Sequence, residues 1–366
     1  MNTSPLPPDS SSSRSSTSLP FRPFSCLPTE IIQHVVEYTS SSHYDPDTYV
    51  ERQSTLRSLC LTSRLFFQLA KPRLYAVVRL TGREQVKVFR DTEQDRAKAI
   101  ETFELVLRGQ GFKEEYNDLS PLLAVSFSLR SIRLEGFSDG GIDLASFSRL
   151  KNLTALGVSN SHLDATDTFA LARVEEMNLD DVSSDMPIEE IVSPSTFPAL
   201  RVLSLTDVKC HNGELSTLLE QLETQLDLIW MDEDDIPRLE PHVFDKINRK
   251  TLFDRFCTNR LPLPSLPSVK SCRLWDSQHS EYSTIEKLEE IVRTSTTPLP
   301  SVLYLAGCHS PDPHDPALED SRQQFRDVCK ERNMEVIYEA KPDWNGDFGR
   351  PTEFYRRMRG GKEKSA

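Results

Sequence analysis

The sequence predicts an α/β protein, a small helical unit followed by a solenoid with a curved parallel sheet. Three observations predict it. From residue 129 onward, two apolar residues separated by one return at intervals. Helical patterns fill the later intervals. Ahead of them, residues 27–70 hold three short apolar helices, too small to bury a core of their own.

The first 23 residues are rich in Ser and Pro and lack the apolar stretch of a secretory signal, so they read as a disordered lead-in. "LPTEIIQHVVEY" follows. Pro28 suits a first helical turn, where its missing N–H would have been unpaired anyway. Glu30 lies in the same turn, favourably placed against the positive end of the helix dipole. Leu27, Ile31 and Val35 recur every four residues with Ile32 and Val36 beside them, which predicts one broad apolar face. His34 has no ligand spacing to another His, Cys or carboxylate and reads as a surface residue.

A polar loop is expected from Ser40 to Ser54. Leu56, Leu59 and Cys60 then suit a second short helix. Thr62-Ser63 can interrupt and cap, because short hydroxyl side chains accept from the open N–H groups at a helix start. Arg64 to Ala70 reads as a third helix, terminated by Pro72. Val77, Val78 and Leu80 are strand-like.

"LPTEII" followed by "LRSLCLTSRLFFQLAKPRLY" resembles an F-box, in the form found in fungal F-box proteins with a leucine-rich-repeat-like body; the match runs from about Phe24 to Leu80. The resemblance implies docking on the Skp-type adaptor of a Skp–cullin–F-box ubiquitin ligase, and through it on a cullin. Leu27-Pro28, Ile31 and Ile32 match the family's first-helix contact motif, and Val35 continues that face. Leu59, Leu61, Ser63, Arg64 and Phe66 match its "LxLxSRxF" portion. Two features depart from the common form: the 40–54 loop is long, and the Trp often found near the end is absent.

The returning pairs are Ile132/Leu134, Leu156/Val158, Met177/Leu179, Leu203/Leu205, Ile229/Met231, Cys272/Leu274 and Leu303/Leu305, with a further strand at 334–339. Their spacings of 24, 21, 26, 26, 43, 31 and 33 residues lie mostly in or near the range of leucine-rich repeats; the long ones are expected to carry an extra helix or loop. "STIEKLEEIVRT" places Ile285, Leu288 and Ile291 on one helical face, and "DSRQQFRDVCKERN" does the same with Phe325, Val328 and Cys329. Strand and helix in alternation predict a parallel sheet with helices outside. A doubly wound nucleotide fold would need a Gly-rich phosphate turn, and neither GxGxxG nor GxxxxGK[ST] occurs. The expected organisation is a tail over 1–23, an F-box over 24–75, a leucine-rich-repeat-like solenoid over 76–345 and a basic, disordered tail over 346–366.

Neither GxSxG, HExxH nor an EF-hand loop occurs. "CHSPDPHDP" at 308–316 holds metal-binding residue types at spacings that fit no common site and reads as a rigid solvated loop. "MDEDD" at 231–235 reads as a solvated acidic face. No catalysis, cofactor or metal is expected. Seven scattered cysteines without a CxxC pair form neither a disulfide framework nor a zinc site and point to a reducing cytosol or nucleus. No run approaches the ~18 apolar residues of a membrane span.

The net charge of −13 is uneven. Residues 175–240 carry 17 acidic against three basic residues, and the rest is close to neutral. That field excludes nucleic acid, which needs a basic stripe. The residue between the two apolar positions of each pair would point out of the sheet, because side chains alternate faces: Arg133, Gly157, Asn178, Ser204, Trp230, Arg273 and Tyr304. Asp180, Asp232 and Trp275 come just after, and Asn160, Asp181, Asp207, Glu233 and Asp276 form an acidic rim. Aromatic residues and Arg anchor interfaces, so Trp230, Arg273, Trp275 and Tyr304, with Asp180, Asp181, Asp207 and Asp232, are the expected target-binding set. The partner would be a protein with a basic segment. The expected function is therefore the substrate receptor of a ubiquitin ligase, the alternative being a repeat scaffold without a ligase.

Overall fold

The computed structural model describes residues 28–40, 46–96, 104–108, 128–137, 141–164, 169–210, 213–232, 242–247, 251–257, 266, 268–276, 281–306 and 316–338. Its first three helices are α1 (Thr29–Ser40), α2 (Pro46–Thr62) and α3 (Arg64–Ala76). Ile32 and Val36 of α1, Leu56 of α2, and Phe66 and Ala70 of α3 form one buried cluster. Ser63 caps α3, its hydroxyl accepting from the Phe66 N–H at 3.3 Å.

Two local expectations fail here for one reason. The second helix begins at Pro46, inside the expected loop, and α3 runs through Pro72 to Ala76. The early turns of α2 reach the end of α3. Arg52, buried, donates to the Arg73 carbonyl at 2.9 Å, and Gln53 donates to the carbonyls of Leu74 and Val77 at 3.2 and 3.3 Å. Carbonyls at a helix end lack intrahelical partners, so side chains from α2 hold a last turn that Pro72 alone would weaken. Tyr49 extends the same tie, accepting from the Arg79 N–H at 3.1 Å.

Among the described residues twelve strands follow in one sheet: β1 (Val77–Thr81), β2 (Glu104–Arg108), β3 (Ser131–Glu135), β4 (Ile142–Asp143), β5 (Ala155–Asp164), β6 (Glu176–Ser184), β7 (Val202–Thr206), β8 (Leu228–Asp232), β9 (Leu252–Cys257), β10 (Ser271–Asp276), β11 (Val302–Ala306) and β12 (Glu335–Tyr338). Every pairing is parallel. The strands lie in chain order, with β4 off the path beside β5. One rung runs Val78, Leu105, Ile132, Leu156, Met177, Leu203, Ile229, Phe253, Cys272, Leu303, Val336. All seven apolar pairs read from the sequence sit in strands, each member buried.

The 43-residue interval holds a strand that the pairs do not reveal. Phe253 of β9 occupies the rung 24 residues after Ile229, but Arg255 stands where a second apolar residue was required. The short helix α7 (Val243–Lys246) precedes it. The other long intervals are helical as expected, containing α8 (Glu281–Thr294) and α9 (Pro316–Glu331). Shorter intervals have room only for smaller connections, among them a 3-10 helix over Leu144–Arg149, α5 (Ile188–Ile191) and α6 (Glu214–Gln221); α4 (Arg83–Arg96) joins β1 to β2.

The core lies between the rung face of the sheet and these connections. A further column adds to it: Leu129, Leu153, Val174, Leu200, Leu226 and Val269, each three residues before its rung residue, are all buried. Main-chain bonds repeat with the same period. The Arg130 carbonyl accepts from the N–H groups of Thr154 and Ala155, that of Thr154 from Glu175 and Glu176, and that of Glu175 from Arg201 and Val202.

A left-handed residue recurs two positions past the second core residue, at Gly136 and Asp207 just after β3 and β7 and at Asn160 and Asp181 inside β5 and β6, with φ of 78°, 53°, 46° and 47°. Gly, Asn and Asp tolerate this region best. Part of the acidic rim thus has a backbone cause. Asp207→Val should cost ~1–2 kcal/mol of stability through Cβ strain, whereas Asp207→Gly should be near neutral; urea midpoints separate the two.

Candidate functional site

The helical unit carries the first candidate surface. Helical geometry rotates each successive side chain by about 100°, so the single broad face expected of α1 divides in two. Ile32 and Val36 turn inward, whereas Ile31, Val35 and Tyr38, at i, i+4 and i+7, share a face and are 47%, 44% and 84% exposed. Pro28 and Arg64 are also exposed, and Leu61 at the end of α2 is 88% exposed. Leu59 packs partly buried against the inner cluster, and Phe66 lies within it. Ile32 and Phe66, both counted in the expected contact set, are instead buried in this unit's own cluster, where they hold its helices together. Leu27 lies outside the described residues. Tyr38, Val50 and Phe67 are exposed apolar positions that the motif did not single out. Arg73 reaches Glu37 at 3.5 Å, linking α3 to α1.

The second candidate surface is the sheet face opposite the core, and it is not uniform. Across β3, β5 and β6 it is polar. Arg108 donates to Glu135 at 2.7 Å, and Arg133 stands 3.7 Å from the same carboxylate. The Arg133 side chain lies beside Gly157, where an added Cβ would meet its Cγ at 3.5 Å. Asn178 is half-buried and Asp180 exposed. Across β7 to β9 the face becomes apolar: Val202, Leu228 and Leu252, each one residue before its rung position, form a buried cluster against which Trp230 and Tyr304 pack. Ser204 and Arg273 are only 4% exposed. Arg273 is thus not the exposed anchor expected, and Trp230 and Tyr304 spend much of their surface inside the protein. The side chains of Asp232 and Trp275 lie outside the described residues, although their backbones lie in β8 and β10.

Electrostatics concentrate along β6 and just past β7. Lys209 meets Asp181 at 2.6 Å, and this hydrogen bond raises the lysine's pKa. Asp180 is raised above the ordinary carboxylate range, first because neighbouring atoms displace its water and then because Asp181, Asp207 and Glu135 repel its charge; Arg133 opposes them. A carboxylate with a raised folded pKa weakens the fold at neutral pH, and the penalty is relieved as pH falls through that pKa toward the unfolded value. Asp180→Asn should accordingly raise the melting temperature at pH 7, by an amount that shrinks as pH falls through the raised folded pKa toward the unfolded one.

Chemically reactive groupings are sparse. His162 Nδ1 lies 3.1 Å from the Ser183 hydroxyl, while its Nε2 is 3.6 Å from Asp185, beyond hydrogen-bond reach for an orienting carboxylate. Burial pushes the Cys329 thiol up to about 12, away from the thiolate that nucleophilic chemistry needs. Among the described residues no group of three or more His, Cys, Asp or Glu could hold a metal ion. Among them, too, no helix is long and apolar enough to cross a membrane. The loop at 308–315 and the acidic residues 233–235 lie outside the described residues.

No model of a known protein family matches the chain, and no curated protein matches it.

Proposed function

We propose that the protein is an F-box substrate receptor of a Skp–cullin–F-box ubiquitin ligase, with a leucine-rich-repeat-like solenoid as its target-binding body. One observation carries this reading. The Ile31–Val35–Tyr38 face of α1 stays open to solvent while the adjacent Ile32–Val36 face fills the unit's own core. An apolar stripe left open beside a satisfied one is the kind of surface a partner helix covers. The α2 side chains that bind the end of α3 and β1 would transmit a fixed orientation from adaptor to sheet. The chain-order parallel sheet, with one rung of buried side chains, supports the solenoid part.

The chain would work by proximity. Holding a target lysine near a ubiquitin carrier raises its effective concentration, and the bond-forming groups belong to other subunits. The target surface would be the polar part of the outer sheet face, from Arg133 to Asp180, with Asp181 and Asp207 at its rim, where acidic charge steers a basic segment. The cytosol or nucleus is the compartment this role requires.

Co-purification with a Skp-type adaptor tests the reading. Stoichiometric capture, lost in Leu27→Ala/Pro28→Ala, is the expected result. A chain that binds target proteins but never the adaptor would instead be an interaction scaffold outside any ligase.

A further inference from the structure

The paired outer helices at the carboxyl end enclose a feature that neither adaptor nor target accounts for. A cleft of about 600 Å³ opens between α8 and α9. Tyr282, half-buried, contributes apolar surface from α8, with the buried Ile285 beneath it, and Ser321 and Gln324 line it from α9. Glu286, Glu289 and Glu290 line it as well. Glu289 is paired with Arg293 at 2.8 Å, whereas Glu286 and Glu290 form no ion pair among the described residues. These two stand four residues apart on one helix face, a spacing at which like charges repel. A basic occupant would remove that repulsion.

We propose that this cleft is a docking site for the chain's own basic carboxyl-terminal segment, residues 350–366. The segment carries six basic residues, Arg350, Arg356, Arg357, Arg359, Lys362 and Lys364, against Glu353 and Glu363, and it adds Phe354 and Tyr355 for the apolar part of the cleft. Its point of departure is adjacent. The last described residue, Tyr338, directs its hydroxyl to the Arg322 carbonyl at 3.4 Å, one residue from Ser321 in the cleft wall. The 18 residues from there to Arg356 span up to ~60 Å when extended, so reach is not limiting. Tethering supplies an effective concentration that a free peptide of the same sequence would lack. Seated there, the segment would brace the last two helices, the place where a repeat array needs a cap. It would also keep its arginines from competing for the acidic rim of the sheet. The proposal does not depend on the ligase reading.

Zero-length carbodiimide cross-linking of the full chain, mapped by mass spectrometry, tests it. Lys362 and Lys364 should join Glu286, Glu289 or Glu290 about tenfold more often than the exposed controls Glu175 and Glu331, with the preference fading as salt screens the charges. The variant Arg356→Gln/Arg357→Gln/Arg359→Gln keeps both lysines and all three cleft carboxylates, adds no new reactive carboxylate, and should abolish the preference. Yields equal to those of the control carboxylates would overturn the proposal. So would cross-links that appear only between isotopically labelled and unlabelled copies, since the occupant would then be a second molecule.

Discussion

The double substitution Ile31→Asp/Val35→Asp is expected to abolish adaptor capture while leaving the fold nearly intact. Each apolar side chain covered by a partner contributes ~1.5–3 kcal/mol through burial, so losing both and burying charge in their place should weaken binding by ~100-fold or more. Folding should hardly register the change. Both positions are about half exposed, and Asp in a helix costs only ~0.7 kcal/mol relative to the best helix formers. Ile32→Ala is the contrasting variant. That side chain is 2% exposed within the three-helix cluster, and its truncation should cost ~2–5 kcal/mol of stability by leaving a cavity. Calorimetry against the purified adaptor, paired with thermal unfolding, reads both quantities. If the double variant bound as tightly as the parent, α1 would not be the docking helix and the ligase proposal would fall.

Phe253→Ala should be the most damaging single substitution in the sheet, at ~3–5 kcal/mol. The ring is fully buried, stacks edge-on to Phe244 at 5.4 Å, and fills the rung between Ile229 and Cys272. A loss of that size is a large share of the ~5–15 kcal/mol that keeps a typical domain folded. The urea midpoint measures it, and the slope of the transition shows whether the sheet still unfolds cooperatively. A loss below ~1 kcal/mol would mean that β9 is not part of the core and that the 43-residue interval holds only the extra helix or loop its length first suggested.

Legibility followed the range of the forces involved. Spacing alone located seven strands, because a rung residue and its neighbour two positions on must both be apolar to face one core. The same rule missed β9, where Arg255 takes the second place. It gave α3 too short a span, because Pro72 weighs against a helix locally while Arg52 and Gln53 hold the last turn from 21 residues away. The acidic rim was legible as charge, but its backbone cause at Asp181 and Asp207 needed φ values.

By itself, then, the order of residues determined the α/β class, the rung positions and the apolar character of α1, all of which depend on contacts between near neighbours or on strict periodicity. Only the tertiary structure decided which of those apolar groups remain exposed. Ile31 stays outside while Ile32 is covered, and Arg273 is buried where parity alone pointed it outward. Exposure is set by what arrives from distant parts of the chain, and no local pattern encodes that.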